Sequence, residues 1–388
     1  MLRSCEVFYY LSQFLLEETA GTELGDLLSP LRVFRYITFR TAGGALTALL
    51  LSLWFGPAVI AWLKRLCMGQ NYKDAAEEAG DLKARIVDKR GTPTMGGLLI
   101  VVAIDLSALL WAQWNQLTVL SLLALLVLAL VGFVDDYVKI AHQSNKGINA
   151  KVKLSVQFLL ALFVAFYLYN DLHMRKLVTE VVLPFWKYPV TCGGAVLGIA
   201  LTVFTIVGSS NAVNLTDGLD GLAIGCTAIV VMAFLVLTYI AGHARFAAYL
   251  QVPYVAGAGE LTVLCGAVFG ASLGFLWFNC HPAQVFMGDT GSLALGGLLG
   301  IIAVLIQQPF ALFIAGGVFV LEAVSVILQV LSAKYSRKYL KTDKRIFLRA
   351  PIHHHFEKKG WYESKVVIRF YILSILCAVV ALATLKMR

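Results

Sequence analysis

Acidic side chains that could bind a cation stand directly beside apolar runs of this sequence. Asp135 and Asp136 are adjacent at the end of one run, and Asp289 lies between glycines in FMGDTGS, just before another. Adjacent carboxylates repel each other, so the pair needs a nearby cation, either Mg²⁺ or a lysine such as Lys139. A lone carboxylate beside free N–H groups, as at Asp289, suits Mg²⁺ and phosphate together. Three alternatives stay open: a solvated helix end paired with lysine, one acid of the pair acting as a base, and Asp289 acting as a helix cap.

Residues 211–221, with the sequence NAVNLTDGLDG, alternate polar side chains with glycines. If this segment is helical, Asp217 and Asp220 share one face, because residues three apart are neighbours on a helix. Together with the amides of Asn211 and Asn214, these carboxylates suit hydrogen bonds to a ribose and a base, or a metal ion. A plain turn between two helices does not need so many polar groups. The pattern therefore favours a ligand site.

Residues 89–97, with the sequence KRGTPTMGG, combine basic side chains with glycines before an apolar run. Glycines let the backbone approach a ligand closely, and Lys89 and Arg90 can meet phosphate. Taken alone, this stretch is better explained as a basic turn that flanks a membrane span.

Three successive histidines, His353, His354 and His355, lie in the basic stretch 350–361, APIHHHFEKKGW. Adjacent residues on a helix point about 100° apart, so all three cannot readily bind one ion. Imidazoles beside lysines suit a phosphate. A transition-metal site is the alternative, but no cysteine or acidic cluster accompanies the histidines.

The composition indicates lipid as the main solvent of this chain. Of its 388 residues, 59% are hydrophobic and only 14% are charged, whereas soluble domains carry about 25% charged residues. In a soluble protein the net charge of +9 would suggest nucleic acid, but here the basic residues lie between apolar runs, where they report topology. We therefore expect no nucleic-acid partner. Seven cysteines without a CxxC pair predict neither a disulfide framework nor a zinc knuckle.

A membrane-crossing helix needs about 20 mostly apolar residues. The sequence contains ten such windows, at residues 37–63, 94–113, 117–134, 154–170, 192–210, 222–241, 261–278, 292–307, 311–331 and 366–385. We predict an all-α polytopic membrane protein of about ten transmembrane helices.

Basic residues predict which loops face the cytoplasm. Seven Lys or Arg lie in residues 64–93, four in 135–153 and ten in 332–365, and the alternate loops carry fewer. Loops rich in Lys and Arg are usually cytoplasmic. This places both termini outside the cytoplasm and all five polar stretches on cytoplasmic loops or on the span ends beside them.

The chain shows no internal repeat, and we expect two parts. Residues 1–36, which contain an amphipathic segment, form a periplasmic or interfacial segment. Residues 37–388 form a single ten-helix domain. Asp105 and Glu322 fall inside predicted spans, where acids are functional candidates by default. For Asp105 a protonated acid that is hydrogen-bonded to a neighbouring helix is the favoured alternative.

Taken together, the five polar stretches resemble the phospho-N-acetylmuramoyl-pentapeptide transferases, within the wider family of polyprenyl-phosphate N-acetylhexosamine 1-phosphate transferases. The resemblance runs from about Arg35 to the C-terminus. It implies transfer of phospho-MurNAc-pentapeptide from UDP-MurNAc-pentapeptide to undecaprenyl phosphate, which yields lipid I and UMP in the first membrane step of peptidoglycan synthesis. It also implies Mg²⁺ dependence, a homodimer, and a multi-pass position in the lipid bilayer of the bacterial inner membrane. Both termini would lie in the periplasm, and the chain would form a cytoplasmic active-site cleft.

The resemblance also implies site residues. Asp289 is expected to bind Mg²⁺, Phe286 to stack on uracil, and Glu322 to have a packing or groove role in the ninth span. The expected catalytic residues are Asp135, Asp136, Asp289, His353, Lys139 and Lys151. The expected substrate-binding residues are Lys89, Thr94, Asn211, Asn214, Asp217, Gly218, Leu219, Asp220, Asn279, Phe286, His354 and His355.

Direct attack by the lipid phosphate is favoured over a covalent phospho-aspartate. Two rival functions remain. A sister transferase that uses UDP-N-acetylglucosamine is disfavoured by the histidine stretch. A transporter is disfavoured because its polar groups would lie near the middle of the bilayer rather than at one surface.

Overall fold

The computed structural model describes residues 7–66, 91–142, 147–183, 186, 190–191, 195–340 and 345–385. Lys89 and Arg90, which the sequence predicts at the site, lie outside the described residues.

Within the described residues, ten apolar helices form the body of the protein, and each overlaps a different predicted window. In chain order these spans one to ten are Ile37–Leu66, Gly97–Trp111, Gln116–Ala141, Ala150–Asn170, Ala195–Thr216, Leu222–Gly242, Gly259–Asn279, Gly288–Leu305, Gly317–Tyr335 and Glu363–Ala383. Among the described residues, nine of these helices are long and apolar enough to cross a membrane, and span two is shorter. The predicted all-α polytopic membrane fold is confirmed.

Short elements connect the spans. They are the helices Val7–Glu18, Glu23–Leu27, Lys176–Thr179, Ala244–Leu250, Pro309–Ala315 and Ile352–Lys358, the 3₁₀-helix Ser29–Arg35, the π-helix Ser336–Leu340, and the antiparallel strands Glu180–Val181 and Val190–Thr191. The ninth predicted window is divided at Gly316, because two successive glycines, Gly316 and Gly317, interrupt the helix there.

Span eight is the most enclosed helix, and every residue from Thr290 to Leu305 is buried. Its glycines let span five approach closely. A Cβ at Gly296 would lie 2.8 Å from the Cα of Ser210, and one at Gly300 would lie 2.9 Å from the Cα of Ile206. Small residues allow this contact between helices in lipid, where apolar burial alone gives little attraction. The packing fixes the N-terminus of span eight against the end of span five.

At the opposite end of the bundle from the N-terminus of span eight, a buried ion pair joins spans one, two and seven. Arg40 donates two hydrogen bonds to Glu260, at 2.6 and 2.7 Å, and both side chains are almost fully buried. Glu260 also accepts from the backbone N–H of Gln113, at 2.8 Å. The N-terminal segment packs beside this pair, where the ring of Phe8 lies 5.1 Å from that of Trp111. The division at residue 36 stays a prediction.

The charge distribution predicts which end of the bundle faces the cytoplasm, and exposed positions at both ends can test it. In a variant without the native cysteines, Arg245→Cys should react with a membrane-impermeant thiol reagent in intact cells. Lys359→Cys, at the opposite end, should react only after lysis. Mass spectrometry of the labelled protein measures both. Labelling of Lys359→Cys in intact cells would reverse the predicted orientation.

Candidate functional site

Three carboxylates meet where span three ends and span eight begins. One oxygen each of Asp135, Asp136 and Asp289 lies within 4.8 Å of the other two, an arrangement that could hold a metal ion. The helices approach closely because residue 132, one turn before the pair, is glycine: a Cβ at Gly132 would collide with the backbone carbonyl of Asp289. We call these three residues the carboxylate cluster.

Asp136 is held in place by the start of span eight. Its carboxylate accepts hydrogen bonds from the backbone N–H of Asp289 at 3.2 Å, from the N–H of Thr290 at 3.0 Å and from the Thr290 hydroxyl at 2.8 Å. An acid at a helix N-terminus satisfies otherwise unpaired N–H groups and interacts favourably with the helix dipole. Asp136 therefore fixes the geometry of the carboxylate cluster.

Two lysines neutralise much of the cluster's charge. The ammonium of Lys139 lies 2.6 Å from Asp135 and 3.3 Å from Asp289, and the ammonium of Lys153 lies 2.9 and 2.6 Å from the same two carboxylates. Among the described residues, the three carboxylates of the cluster thus face two ammonium groups. A bound divalent cation would add to this balance, and the all-oxygen ligand set suits a hard cation such as Mg²⁺.

Lys153 was not among the predicted catalytic residues, whereas Lys151 was. Asn149 caps the start of span four by accepting a hydrogen bond from the N–H of Lys151 at 3.0 Å. From this starting point the side chain of Lys151 is exposed, whereas that of Lys153 points to the carboxylate cluster. Both lysines are visible in the sequence. Which of them faces the acids depends on the residue at which the helix begins, because this sets the direction of every side chain on the helix. The catalytic role of Lys151 stays a prediction.

Asn214 and Ser292 orient the remaining oxygen of Asp289. The Asn214 amide donates to Asp289 Oδ1 at 2.8 Å and to the Ser292 hydroxyl at 2.9 Å. That hydroxyl donates to the carbonyl of Gly288 at 2.9 Å. Asn214, predicted from the sequence, is therefore brought into contact with the carboxylate cluster.

The loop from residue 217 to residue 221 is a turn rather than a continuation of span five, which ends at Thr216. Gly221 has φ +79°, a conformation that glycine adopts at low cost. Because the segment is not helical, Asp217 and Asp220 do not share a helix face. Asp217 instead lies close to the N–H of Gly288, beside the carboxylate cluster.

Asp220 belongs to a second group, with His281 and Glu363. His281 Nδ1 lies 2.9 Å from Asp220 Oδ2, the N–H of Ala283 donates to the same oxygen at 3.2 Å, and the N–H of Asp220 donates to Glu363 at 2.8 Å. One ligand atom from each of the three titratable residues lies within 4.8 Å of the others. His281 and Glu363 were missed in the sequence, since no local pattern joins residues so far apart.

The stretch that begins span two lies along the loop before span eight. The N–H of Phe286 donates to the carbonyl of Pro93 at 2.8 Å, and the N–H of Gly96 donates to the carbonyl of Phe286 at 2.9 Å. Thr94 lies beside Gly288, where a Cβ would be 2.8 Å from the Thr94 hydroxyl. The predicted residues Thr94 and Phe286 are thus brought to the edge of the carboxylate cluster.

Two predicted polar residues make contacts within the protein. Asn279 is buried, accepts from the N–H of Gly221 at 3.1 Å and donates to the carbonyl of Val285 at 2.8 Å. Asn211 donates to Gln157 at 2.6 Å. These contacts hold the backbone of the surrounding loops and helices. Leu219, a third predicted residue, is buried.

The three histidines have separate partners. His353 Nδ1 lies 3.1 Å from Glu322, His354 Nδ1 lies 2.7 Å from Glu357, and His355 accepts from the N–H of Leu348 at 3.1 Å. Burial lowers the pKa of His354, although Glu357 opposes this shift. The side chain of His353 is 1% exposed. It reaches neither the carboxylate cluster nor solvent.

Two comparisons with known families place these residues in context. Residues 118–307 match the family described as Glycosyl transferase family 4. Residues 89–101 match the Phospho-N-acetylmuramoyl-pentapeptide-transferase signature 1. The first match contains the whole carboxylate cluster, and the second contains Thr94.

Replacing Lys153 should strengthen cation binding, because it removes a positive charge from the carboxylate cluster. We expect Lys153→Gln to bind Mn²⁺, used as a probe, at least about tenfold more tightly than the wild type. The measurement is electron paramagnetic resonance of Mn²⁺ added to protein that was first treated with a chelator. Lys151→Gln is the matched control, since this exposed lysine should change the affinity far less. Equal Mn²⁺ affinities in both variants would show that the charge of Lys153 does not influence cation binding.

The ionisation of Asp217 should make the cation-free protein less stable at high pH. Burial and the nearby charges of Asp289 and Asp136 raise the pKa of Asp217 to about 8, although the Gly288 N–H opposes this. An unfolded chain releases this proton near pH 4, so the folded state loses stability between about pH 4 and about pH 8. With a chelator present, the wild-type Tm should fall more between about pH 6 and about pH 9 than that of Asp217→Asn. Thermal unfolding in detergent measures this, and parallel curves would contradict it.

Proposed function

Since the chain belongs to the phospho-N-acetylmuramoyl-pentapeptide-transferase family, we propose that it transfers phospho-MurNAc-pentapeptide from UDP-MurNAc-pentapeptide to undecaprenyl phosphate. The products are lipid I and UMP. The observation that carries the proposal is the carboxylate cluster with its two lysines, which lies at the ends of apolar helices where a lipid phosphate and a soluble nucleotide can both arrive.

Transfer of a phosphoryl group between two anions requires charge neutralisation and in-line positioning more than covalent help. Asp289, with Asp135 and Asp136, would hold Mg²⁺, which supplies positive charge to the pyrophosphate when bound. Lys139 and Lys153 would meet the phosphate oxygens, since both ammonium groups already lie within 3.3 Å of Asp289. Asn214 keeps Asp289 in one orientation through its hydrogen bond.

Direct attack by the lipid phosphate needs no base. A phosphate oxygen forms a bond to the sugar-bearing phosphorus, the bond from this phosphorus to the bridging oxygen breaks, and UMP leaves with the electron pair. A covalent route would need a free aspartate oxygen. Asp136 accepts three hydrogen bonds, and Asp135 accepts from the N–H of Ile148 at 2.8 Å while its other oxygen contacts both lysines. These contacts favour direct attack.

The nucleoside would bind beside the carboxylate cluster. Phe286 offers a partly buried ring next to Thr94 and the loop that carries Asp217. A base stacked on an aromatic ring contributes roughly 1–3 kcal/mol. Asp220 would contribute through the backbone of this loop, because its carboxylate contacts His281 and the N–H of Ala283.

The cellular setting belongs to the same proposal. The protein would act as a homodimer in the bacterial inner membrane, with its site facing the cytoplasm and both termini in the periplasm. The basic residues of 64–93, 135–153 and 332–365 support this orientation. A transporter is not favoured, because the titratable groups of the carboxylate cluster gather at the helix ends.

The proposed function is tested by the release of UMP from UDP-MurNAc-pentapeptide. The purified protein should release UMP only when both Mg²⁺ and a polyprenyl phosphate are present, and it should use UDP-N-acetylglucosamine poorly. Chromatography of the nucleotide and lipid products measures both. Stoichiometric UMP release without lipid would indicate the covalent route, and a preference for UDP-N-acetylglucosamine would indicate the sister activity.

Removal of the Asp289 charge should abolish turnover without unfolding the protein. Asp289→Asn keeps the side-chain shape and can still accept from Asn214, but it weakens the contacts to the cation and to both lysines. We expect kcat to fall at least about a hundredfold at every Mg²⁺ concentration. Asp171→Asn, the same change at a helix end on the opposite side of the bundle, should keep wild-type turnover. Near-normal turnover of Asp289→Asn would assign the cation to other acids.

A further inference from the structure

Glu322 in span nine and His353 form a buried pair that has no role in the chemistry described above. His353 Nδ1 lies 3.1 Å from Glu322 Oε2, and the side chains are 1% and 0% exposed. Neither carboxylate oxygen and neither ring nitrogen has an aligned hydrogen bond among the described residues. Buried polar groups normally have such partners, and exceptions are concentrated where function requires them.

The opposite edge of the imidazole faces the loop that carries Asp217. A Cβ at Gly218 would collide with His353 Nε2, so the ring lies directly against this glycine. Gly218 itself is exposed on its other side. The imidazole therefore separates a buried carboxylate from the surface loop. The ring of His354 is its other close neighbour, with ring centroids 4.2 Å apart.

We propose that Glu322 and His353 are positioning residues for the loop from residue 217 to residue 221. The Glu322 carboxyl group packs against the Nδ1 edge of the imidazole, and the opposite edge of the ring supports Gly218. This support sets the position of Asp217 beside the carboxylate cluster. His353 acts through the loop, because its buried ring has no surface left for a substrate.

The inference rests on the proposed function only in treating this loop as part of the nucleotide site. Glycine is required at position 218 because any larger residue would displace the imidazole or lift the loop. Glu322→Gln replaces one carboxyl oxygen beside the ring by an amide group, which changes the contact at Nδ1 and lets the ring shift, so the loop would lose part of its support. Weaker nucleotide binding is the expected result, with little change in the transfer step.

The pairing itself can be tested without activity. Solid-state NMR of ¹⁵N-histidine-labelled protein in bilayers resolves the ring nitrogens, and the spectrum of His353→Gln identifies the His353 signals. Glu322→Gln should shift these signals and leave those of the four histidines outside the triplet unchanged. Asp105→Asn, the same type of change in span two, should shift none of them. Unchanged His353 signals in Glu322→Gln would overturn the proposal.

A double-mutant cycle tests the positioning role. Glu322→Gln should raise the KM for UDP-MurNAc-pentapeptide about tenfold and change kcat less than about threefold, because uniform binding is lost. Adding Glu322→Gln to His353→Gln should raise the KM no further, since a residue that acts through another is not additive with it. Asp105→Asn should keep both constants.

The outcomes separate this inference from the proposed function. A wild-type protein without transfer activity would refute the proposed function, while the NMR comparison would still decide the pair. With an active wild type, an unchanged KM in Glu322→Gln, or additive effects in the double variant, would overturn the positioning role. If Glu322→Gln and His353→Gln only loosened the packing, their Tm would fall and the KM would not change selectively. That result would also overturn the positioning role.

Discussion

The structure depends on the balance of charge where three carboxylates meet at the ends of apolar helices. In such surroundings an uncompensated carboxylate is costly, and three together are not tolerated without positive charge. Lys139 and Lys153 supply two ammonium groups from the neighbouring spans three and four, and the N–H groups at the start of span eight supply partial positive charge to Asp136. The close packing of span eight is what brings these groups into contact.

Structural features that are set by neighbouring residues alone were predicted well from the sequence. The ten apolar windows are such a feature, because the length needed to cross a bilayer is set by each segment itself. The placement of Asp135, Asp136 and Asp289 at the same end of the bundle followed from the order of the predicted spans. The division of the ninth window was missed, although Gly316 and Gly317 are a visible signal for it.

Features that depend on helix phase or on distant contacts could not be predicted. Lys151 and Lys153 differ only in the direction of their side chains, which the first residue of span four decides. His281 and Glu363 lie 61 and 143 residues from Asp220, so only the folded bundle joins them. The separate partners of the three histidines were invisible in the sequence, because Glu322 and Leu348 come from other parts of the chain.

The ion pair between Arg40 and Glu260 has a consequence for the insertion of the protein into the membrane during synthesis. Span one leaves the ribosome more than 200 residues before span seven, so Arg40 enters the membrane long before its partner exists. Both residues lie within a turn of the end of their span, close enough to the surface for each charge to stay hydrated while it waits. Their buried contact can form only once span seven has been inserted. Completion of this end of the bundle is therefore coupled to the arrival of span seven.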